Sequence, residues 1–252
     1  MFMRTFATRA KSVNVSGMKQ KRISTGVEEL DGLIQGGFPA GKSYLVTGPS
    51  GTGKSIFCMQ FVMKGLLDAE KAVYVCVDEK PSDIVEEAGS LGWDWRKHMD
   101  DKSLLILDAS AYFSARLGTS KEKEVDVQKI VGDLGSYVKR MGATRLVIDP
   151  VKPLVEGRES AQISQEHVRT LVHALQNNLG TTNVLTTYPL PGSAEGPEAH
   201  LVAGVVVLDI LQEQGRWVRS LMVRKMRATP LELAERQFSI ERGKGIVLNG
   251  ST

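Results

Sequence analysis

Eight consecutive residues, Gly48-Pro49-Ser50-Gly51-Thr52-Gly53-Lys54-Ser55, constrain the fold more than any other stretch of this 252-residue chain. They fit the pattern G-x-x-x-x-G-K-[ST] at every fixed position. Before them runs the mostly apolar Tyr44-Leu45-Val46-Thr47. After them, Lys54 to Leu67 is apolar over most of its surface. The pattern functions only where a buried strand turns directly into a helix, so the chain must contain a strand–loop–helix unit with that helix packed inside a layered structure.

The rest of the sequence extends this unit. Strand-like runs at Ala72–Val77, Leu104–Leu107, Leu146–Ile148 and Asn183–Thr187 alternate with helical patterns. Val127, Ile130, Val131, Leu134, Val138 and Met141 keep the i, i+3, i+4, i+7 spacing, and Val168 to Leu179 repeats it up to Gly180. Alternation of this kind predicts crossover units and an α/β fold with a mostly parallel central sheet flanked by helices. The last third differs. Val205–Leu211 and Trp217–Val223 flank Gln212-Glu213-Gln214-Gly215, which predicts a hairpin, and short strands at Phe238–Ile240 and Ile246–Leu248 complete a C-terminal antiparallel β extension. Residues 113–125 and 189–199 are expected to be loops.

Composition excludes several classes. Hydrophobic residues make up 42% and charged residues 24%, which rules out wholesale disorder. The longest uninterrupted apolar run, Leu201–Leu208, is strand-sized and far short of the roughly 18 residues of a membrane helix. Two cysteines, Cys58 and Cys76, cannot frame a disulfide scaffold and suit a reducing cytosol, so a cytoplasmic location is expected. The net charge of +3 is uneven. Arg4, Arg9, Lys11, Lys19, Lys21 and Arg22 give the first 27 residues +6, which leaves −3 for the remainder. Residues 1–21 read as a basic, disordered arm and 22–252 as the folded domain. The arm has three open readings: a solvated tail (with Met18 as an alternative start), a nucleic-acid-binding arm, or an organellar targeting peptide.

The eight-residue loop has a definite chemistry. Glycines let backbone amides point at phosphate oxygens, and the helix N-terminus adds its dipole. Lys54 is placed to reach the β- and γ-phosphates, and the Ser55 hydroxyl to ligate Mg²⁺. Hydrolysis also requires an acid near the metal and a group that activates water. Asp149, which follows the strand Leu146–Ile148, suits the metal side through water. Asp78 and Glu79 follow another strand, on the edge where α/β sheets bind ligands, and either could orient water. Glu79 is a further candidate for the metal through water.

Several dispersed segments resemble one family in a single order. Leu30-Asp31-Gly32-Leu33-Ile34-Gln35-Gly36-Gly37-Phe38-Pro39-Ala40-Gly41 leads into the phosphate loop. Val77-Asp78-Glu79-Lys80-Pro81-Ser82-Asp83-Ile84, Leu91-Gly92-Trp93-Asp94, Leu107-Asp108-Ala109-Ser110, Arg145-Leu146-Val147-Ile148-Asp149, Thr186-Thr187 and Lys225-Met226-Arg227 follow. Together they resemble the KaiC family of RecA-like P-loop ATPases over about residues 22–250. The resemblance implies ATP and Mg²⁺ as ligands, and Glu79 with Asp78 as the catalytic acidic pair, with Glu79 the preferred water activator. It implies Asp149 as the Walker-B acid. It also implies Lys225 and Arg227 as cations inserted into a neighbouring subunit's nucleotide site, hence a homo-oligomer, usually a hexameric ring. Ser90 and Thr229 match positions that contact nucleotide. A signalling or clock-type protein partner is implied as well.

Departures from the family pattern qualify these expectations. Pro150 stands where relatives often carry Ser, Tyr188-Pro189 where they often carry Glu, and Leu231 where the clock protein has a histidine. One domain is present where the clock protein has two, so autokinase activity is not expected. Two alternatives stay open: a recombinase-like, DNA-dependent ATPase, and a nucleotide-gated scaffold with negligible turnover. His98, His167, His173 and His200 lack metal spacing, Trp93 and Trp95 read as packing residues, and both cysteines read as inert buried thiols.

Overall fold

The computed structural model describes residues 20–110, 126–155, 161–188 and 198–249. The basic arm up to residue 19 and the expected loops at 113–125 and 189–197 lie outside the described residues. Four apolar runs, β3 (Ser43–Thr47), β4 (Ala72–Cys76), β6 (Arg145–Asp149) and β7 (Thr182–Thr187), are buried along their whole length. Strands buried on both faces need helices above and below, so they pair in parallel, as these do.

Among the described residues, the central sheet has nine strands in the order β11-β10-β9-β8-β3-β7-β6-β4-β5. β5 (Leu104–Asp108) forms one edge. Beyond β3, β8 (Gly204–Glu213) is still parallel to it. Then β9 (Arg216–Met226), β10 (Glu235–Glu241) and β11 (Gly245–Leu248) continue antiparallel. The predicted hairpin joins β8 to β9 through Gln214 and Gly215, both at positive φ (48° and 79°), as a tight turn of matching twist requires. A separate ribbon pairs β1 (Arg22–Ile23) with β2 (Phe38–Pro39).

Strand pleating divides the core in two. Tyr44, Val46, Tyr74, Cys76, Val147 and Val184 face one layer, which holds α1 (Glu28–Leu33), α2 (Lys54–Leu67), α3 (Pro81–Ser90) and α4 (Trp95–Asp100). Leu45, Val73, Val75, Leu146, Ile148 and Leu185 face the other, with α5 (Val127–Met141), α6 (Lys152–Val155) and α7 (Ala161–Asn178). α2 has the bounds expected of it. α5 is capped by Asp126, whose carboxylate accepts from the Lys129 amide at 2.9 Å, and it ends at Gly142 with φ 65°.

One sequence expectation needs correction. Glu198 and Ala199, expected in a loop, belong to the single-turn helix α8 (Glu198–Leu201) and are buried. The strand expected at Val205–Leu211 lies within β8, which begins at Gly204, where a Cβ would come within 2.8 Å of Met226. Arg22, at the expected start of the folded domain, donates from its guanidinium to the Ile34 and Gly37 carbonyls at 2.8 and 2.9 Å. Among the described residues, no helix is long and apolar enough to cross a membrane.

Candidate functional site

β3 delivers the chain to the phosphate loop. Gly48 has φ 154°, and a Cβ there would lie 2.0 Å from the Leu208 carbonyl oxygen, so its glycine requirement comes from packing against β8. Gly51 differs: its φ is 80°, and a Cβ would meet nothing within 4 Å. Gly53 holds the left-handed N-cap position of α2 (φ 106°), and no side chain caps the helix. The first-turn amides of α2 are therefore available to an anion. Thr52 donates to the Pro49 carbonyl at 2.9 Å and braces the loop from inside. Pro49 and Ser50 are exposed, and Ser55 is half-buried at the helix start.

Lys54 is folded into its own loop. Its ammonium donates to the Gly48 and Pro49 carbonyls at 2.7 and 2.8 Å and lies 4.3 Å from the centroid of the Tyr188 ring. Burial pulls its pKa down from the ordinary lysine value, and the Asp149 charge pushes back.

Carboxylates gather on the same sheet edge. Asp149 ends β6 and is 9% exposed. One carboxylate oxygen accepts from the Tyr74 hydroxyl at 2.7 Å, and the other accepts a short hydrogen bond from the Thr186 hydroxyl. Asp78 and Glu79 follow β4. Burial and then the Asp149 charge raise both carboxyls above the usual carboxylate range, with Asp83 and Asp78 adding to the effect on Glu79. Glu87 on α3 is raised by burial and by the charges of Glu79 and Asp149. Lys54, Asp78 and Glu79 thus each feel the charge of Asp149.

The remaining candidates lie in three other places. Ser90, at the end of α3, donates to the Glu87 carbonyl at 2.7 Å. Lys225, on β9, donates to the Ala199 and His200 carbonyls at 2.9 and 3.3 Å, and Arg227 donates to the His200 carbonyl at 3.3 Å. The Thr229 hydroxyl accepts from Arg22 at 3.0 Å. Lys225 and Arg227 thus contact α8 of their own chain rather than the phosphate loop.

Sequence reasoning gave several residues here no contact with the site. Tyr74 and Thr186 hold Asp149, yet Tyr74 is 75 positions away in sequence and reads only as an apolar strand residue. The Tyr188 ring lies against Lys54. Lys152 is nearly buried and donates to the Tyr188 carbonyl at 3.0 Å. Arg219 of β9 approaches the Gly51 carbonyl at 3.5 Å. Pairing partners across the sheet decide these contacts, and no local pattern signals them.

The tryptophans and cysteines set aside are buried, as expected. Trp93 and Trp95 are buried in the core. Burial raises the Cys58 thiol well above its ordinary value, and burial with the Asp108 charge pushes Cys76 up to about 11. No group of three or more His, Cys, Asp or Glu among the described residues could hold a metal by itself. A Mg²⁺ bound mainly by phosphate and water, with one hydroxyl and a nearby acid, matches this donor set, and the uncapped α2 start matches its polyphosphate.

Comparison with known proteins identifies a family. The model of the ATPase family described as KaiC matches residues 23–252. The UPF0273 protein MJ1359 of Methanocaldococcus jannaschii is 33% identical over 90% of this chain and 96% of its own length. The circadian clock oscillator protein KaiC of Thermostichus vulcanus is 30% identical over 92% of this chain, and the chain spans 45% of that protein's length. Among solved structures, the KaiC-like protein PH0186 of Pyrococcus horikoshii superposes with a TM-score of 0.78 at 32% identity, covering 92% of this chain and all of that one. The chain therefore belongs to the KaiC family of ATPases, as a single domain of the RecA-like fold.

Proposed function

We propose that this chain is a Mg²⁺-dependent ATPase of the cytoplasm whose ring-shaped homo-oligomer, a hexamer, acts as a nucleotide-controlled switch for a partner protein. Residues 22–252 form the ATPase domain. The observation that carries the reading is the meeting of Lys54, on an uncapped helix start, with the carboxylates of Asp149, Asp78 and Glu79 on one sheet edge.

The amides of 48–55 and the Lys54 ammonium bind and orient the β- and γ-phosphates of ATP, with Ser90 and Thr229 as further nucleotide contacts. Ser55 would hold Mg²⁺ directly, with Asp149, and Glu79 as a further ligand, acting through water. When bound, the metal neutralises charge spread over the two phosphates. Glu79 orients the attacking water and takes its proton as oxygen bonds to the γ-phosphorus and the bond to the bridging oxygen breaks. Burial and the neighbouring carboxylates raise its pKa, which makes its ionised form a stronger base than an ordinary glutamate. Lys225 and Arg227 of one subunit, held by the α8 carbonyls of their own chain, stabilise charge on the transferred phosphoryl group of the next.

The test is ATP turnover and ATP binding in Glu79→Gln. Turnover is expected to fall by about 10²-fold or more while ATP still binds. Unchanged turnover overturns the Glu79 role. An Arg227→Glu substitution is expected to impair turnover and assembly together, and full activity in a strictly monomeric variant overturns the action in trans. Native mass with ATP and with ADP reads ring size and switching. A second reading, a nucleotide-gated scaffold with negligible turnover, is favoured by the Tyr188 ring lying against Lys54. Absence of hydrolysis in a single-turnover experiment with bound ATP would support it instead.

A further inference from the structure

The last residues of β7 alternate between the two faces of the sheet. Thr186 points to the layer of α2, where its hydroxyl donates to Asp149. Thr187 points to the opposite layer, where its hydroxyl donates to Glu198 Oε1 at 2.7 Å. Tyr188 then returns to Lys54 through its ring and to Lys152 through its carbonyl. One strand end thus touches the phosphate side and α8 at consecutive positions.

Glu198 is an unusual residue to find there. It is 0% exposed, and its second oxygen, Oε2, is a buried acceptor with no hydrogen-bond partner among the described residues. Thr47 Oγ1 is likewise buried without a partner among them, and Thr47 is the residue in register with Thr187 on β3, immediately before the phosphate loop. In-register residues on adjacent strands project to the same face, so Thr47 and Thr187 both project to the face that carries α8. A buried carboxyl carries a desolvation cost, and a half-satisfied one carries more. Packing alone does not account for a glutamate here, because α8 buries Ala199 at the next position with an apolar side chain.

The consequence lies at the other end of the same helical turn. The carbonyls of Ala199 and His200 hold the Lys225 and Arg227 side chains. Glu198 fixes the start of this turn to β7, and the turn presents the acceptors that locate the two cations.

We propose that Glu198 is a positioning residue: through its bond from Thr187 it fixes α8, and α8 sets where Lys225 and Arg227 stand, so that the strand end touching Asp149 and Lys54 also governs the two cations. This rests on the reading that Lys225 and Arg227 act on a neighbouring subunit's nucleotide.

A double-mutant cycle on the full chain tests it, using Glu198→Met, Arg227→Ala and the pair. Met keeps much the same length and volume but offers the Thr187 hydroxyl no oxygen acceptor, which Gln would keep, and a thermal melt of each variant checks folding. Glu198→Met is expected to lower turnover about 5- to 50-fold with ATP affinity within about twofold of the parent, and to have little further effect once Arg227 is removed. In the nucleotide-free protein, amide hydrogen exchange of residues 198–203 is expected to speed up in Glu198→Met while that of β3 stays unchanged. A merely structural Glu198 would give the same fold-loss in both backgrounds, and that additivity overturns the proposal, as does unchanged turnover. If Arg227→Ala and Lys225→Ala both leave turnover intact, the reading in trans fails instead, and the exchange experiment still decides whether Glu198 fixes α8. Should Glu198→Met fail to fold, Thr187→Val removes the same hydrogen bond from the other partner and is expected to show the same non-additivity with Arg227→Ala.

Discussion

Removing the Tyr74 hydroxyl separates a hydrogen bond from everything around it. Tyr74 is 0% exposed, its ring meets Trp95 edge-on at 5.5 Å between centroids, and its hydroxyl donates to Asp149 at 2.7 Å. Tyr74→Phe keeps the ring, the contact with Trp95 and the volume of the core. What is lost is one donor to a carboxylate that sits 9% exposed. A hydrogen bond to a charged group contributes about 1.5–3 kcal/mol, and at the low end this is more than tenfold in the folding equilibrium. For a domain of this size each kcal/mol moves the melting midpoint by about 2–4 °C, so a fall of roughly 3–12 °C is expected. Thr186→Val removes the other donor to Asp149. Because both donors serve one carboxylate, the double variant should lose an amount that differs from the sum of the singles by more than about 0.5 kcal/mol. Chemical denaturation of the three variants and the parent, at unchanged denaturant dependence, measures this. If Tyr74→Phe stays within about 0.3 kcal/mol of the parent, the Asp149 carboxylate does not depend on that hydroxyl and the reasoning fails.

The other predictions concern the loop, the acids and the hairpin. Gly48→Ala places a methyl 2.0 Å from the Leu208 carbonyl oxygen, so loss of nucleotide binding with a destabilisation of about 1–3 kcal/mol or more is expected, and a parent-like melt refutes it. Tyr188→Leu removes a ring contact to the Lys54 ammonium of about 0.5–2 kcal/mol, so ATP should bind about 2- to 30-fold tighter, whereas weaker binding would show that the ring assists the nucleotide. Burial and neighbouring carboxylates raise Glu79, so the stability tied to its protonated form is present at low pH and lost as pH rises through its folded pKa, and the acid limb of turnover lies above the ordinary glutamate value. Asp83→Asn removes one of those charges and should move that limb to lower pH, and an unmoved limb argues against Glu79 as the base. Gln214→Asn suits the positive φ at the first turn residue better, so a gain of about 0.5 kcal/mol in denaturant stability is expected.

Much of this protein is legible in the order of its residues. The octet at 48–55 fixes a strand, a tight loop and a buried helix, because the glycines, the lysine and the flanking apolar runs suit no other arrangement. Alternating periodicities then give the parallel sheet, and Gln214-Gly215 gives the hairpin. These are local signals, since backbone conformation and side-chain period are set by neighbours within a turn or a strand. The short helices α1, α4, α6 and α8 escaped that reading because a helix of one or two turns leaves too few residues to show a period.

The tertiary structure alone decided which groups meet. Lys54 rests on the carbonyls of its own loop and on Tyr188, 134 positions later, because β7 lies beside β3 in the sheet. Asp149 receives Tyr74 from the strand on one side and Thr186 from the strand on the other, because β6 runs between β4 and β7. Glu198 reads as one polar residue in a proline- and glycine-rich stretch, yet it is wholly buried against Thr187. Strand order and register across crossovers of tens of residues determine these encounters, and both follow from packing the two layers at once rather than from any local run of sequence.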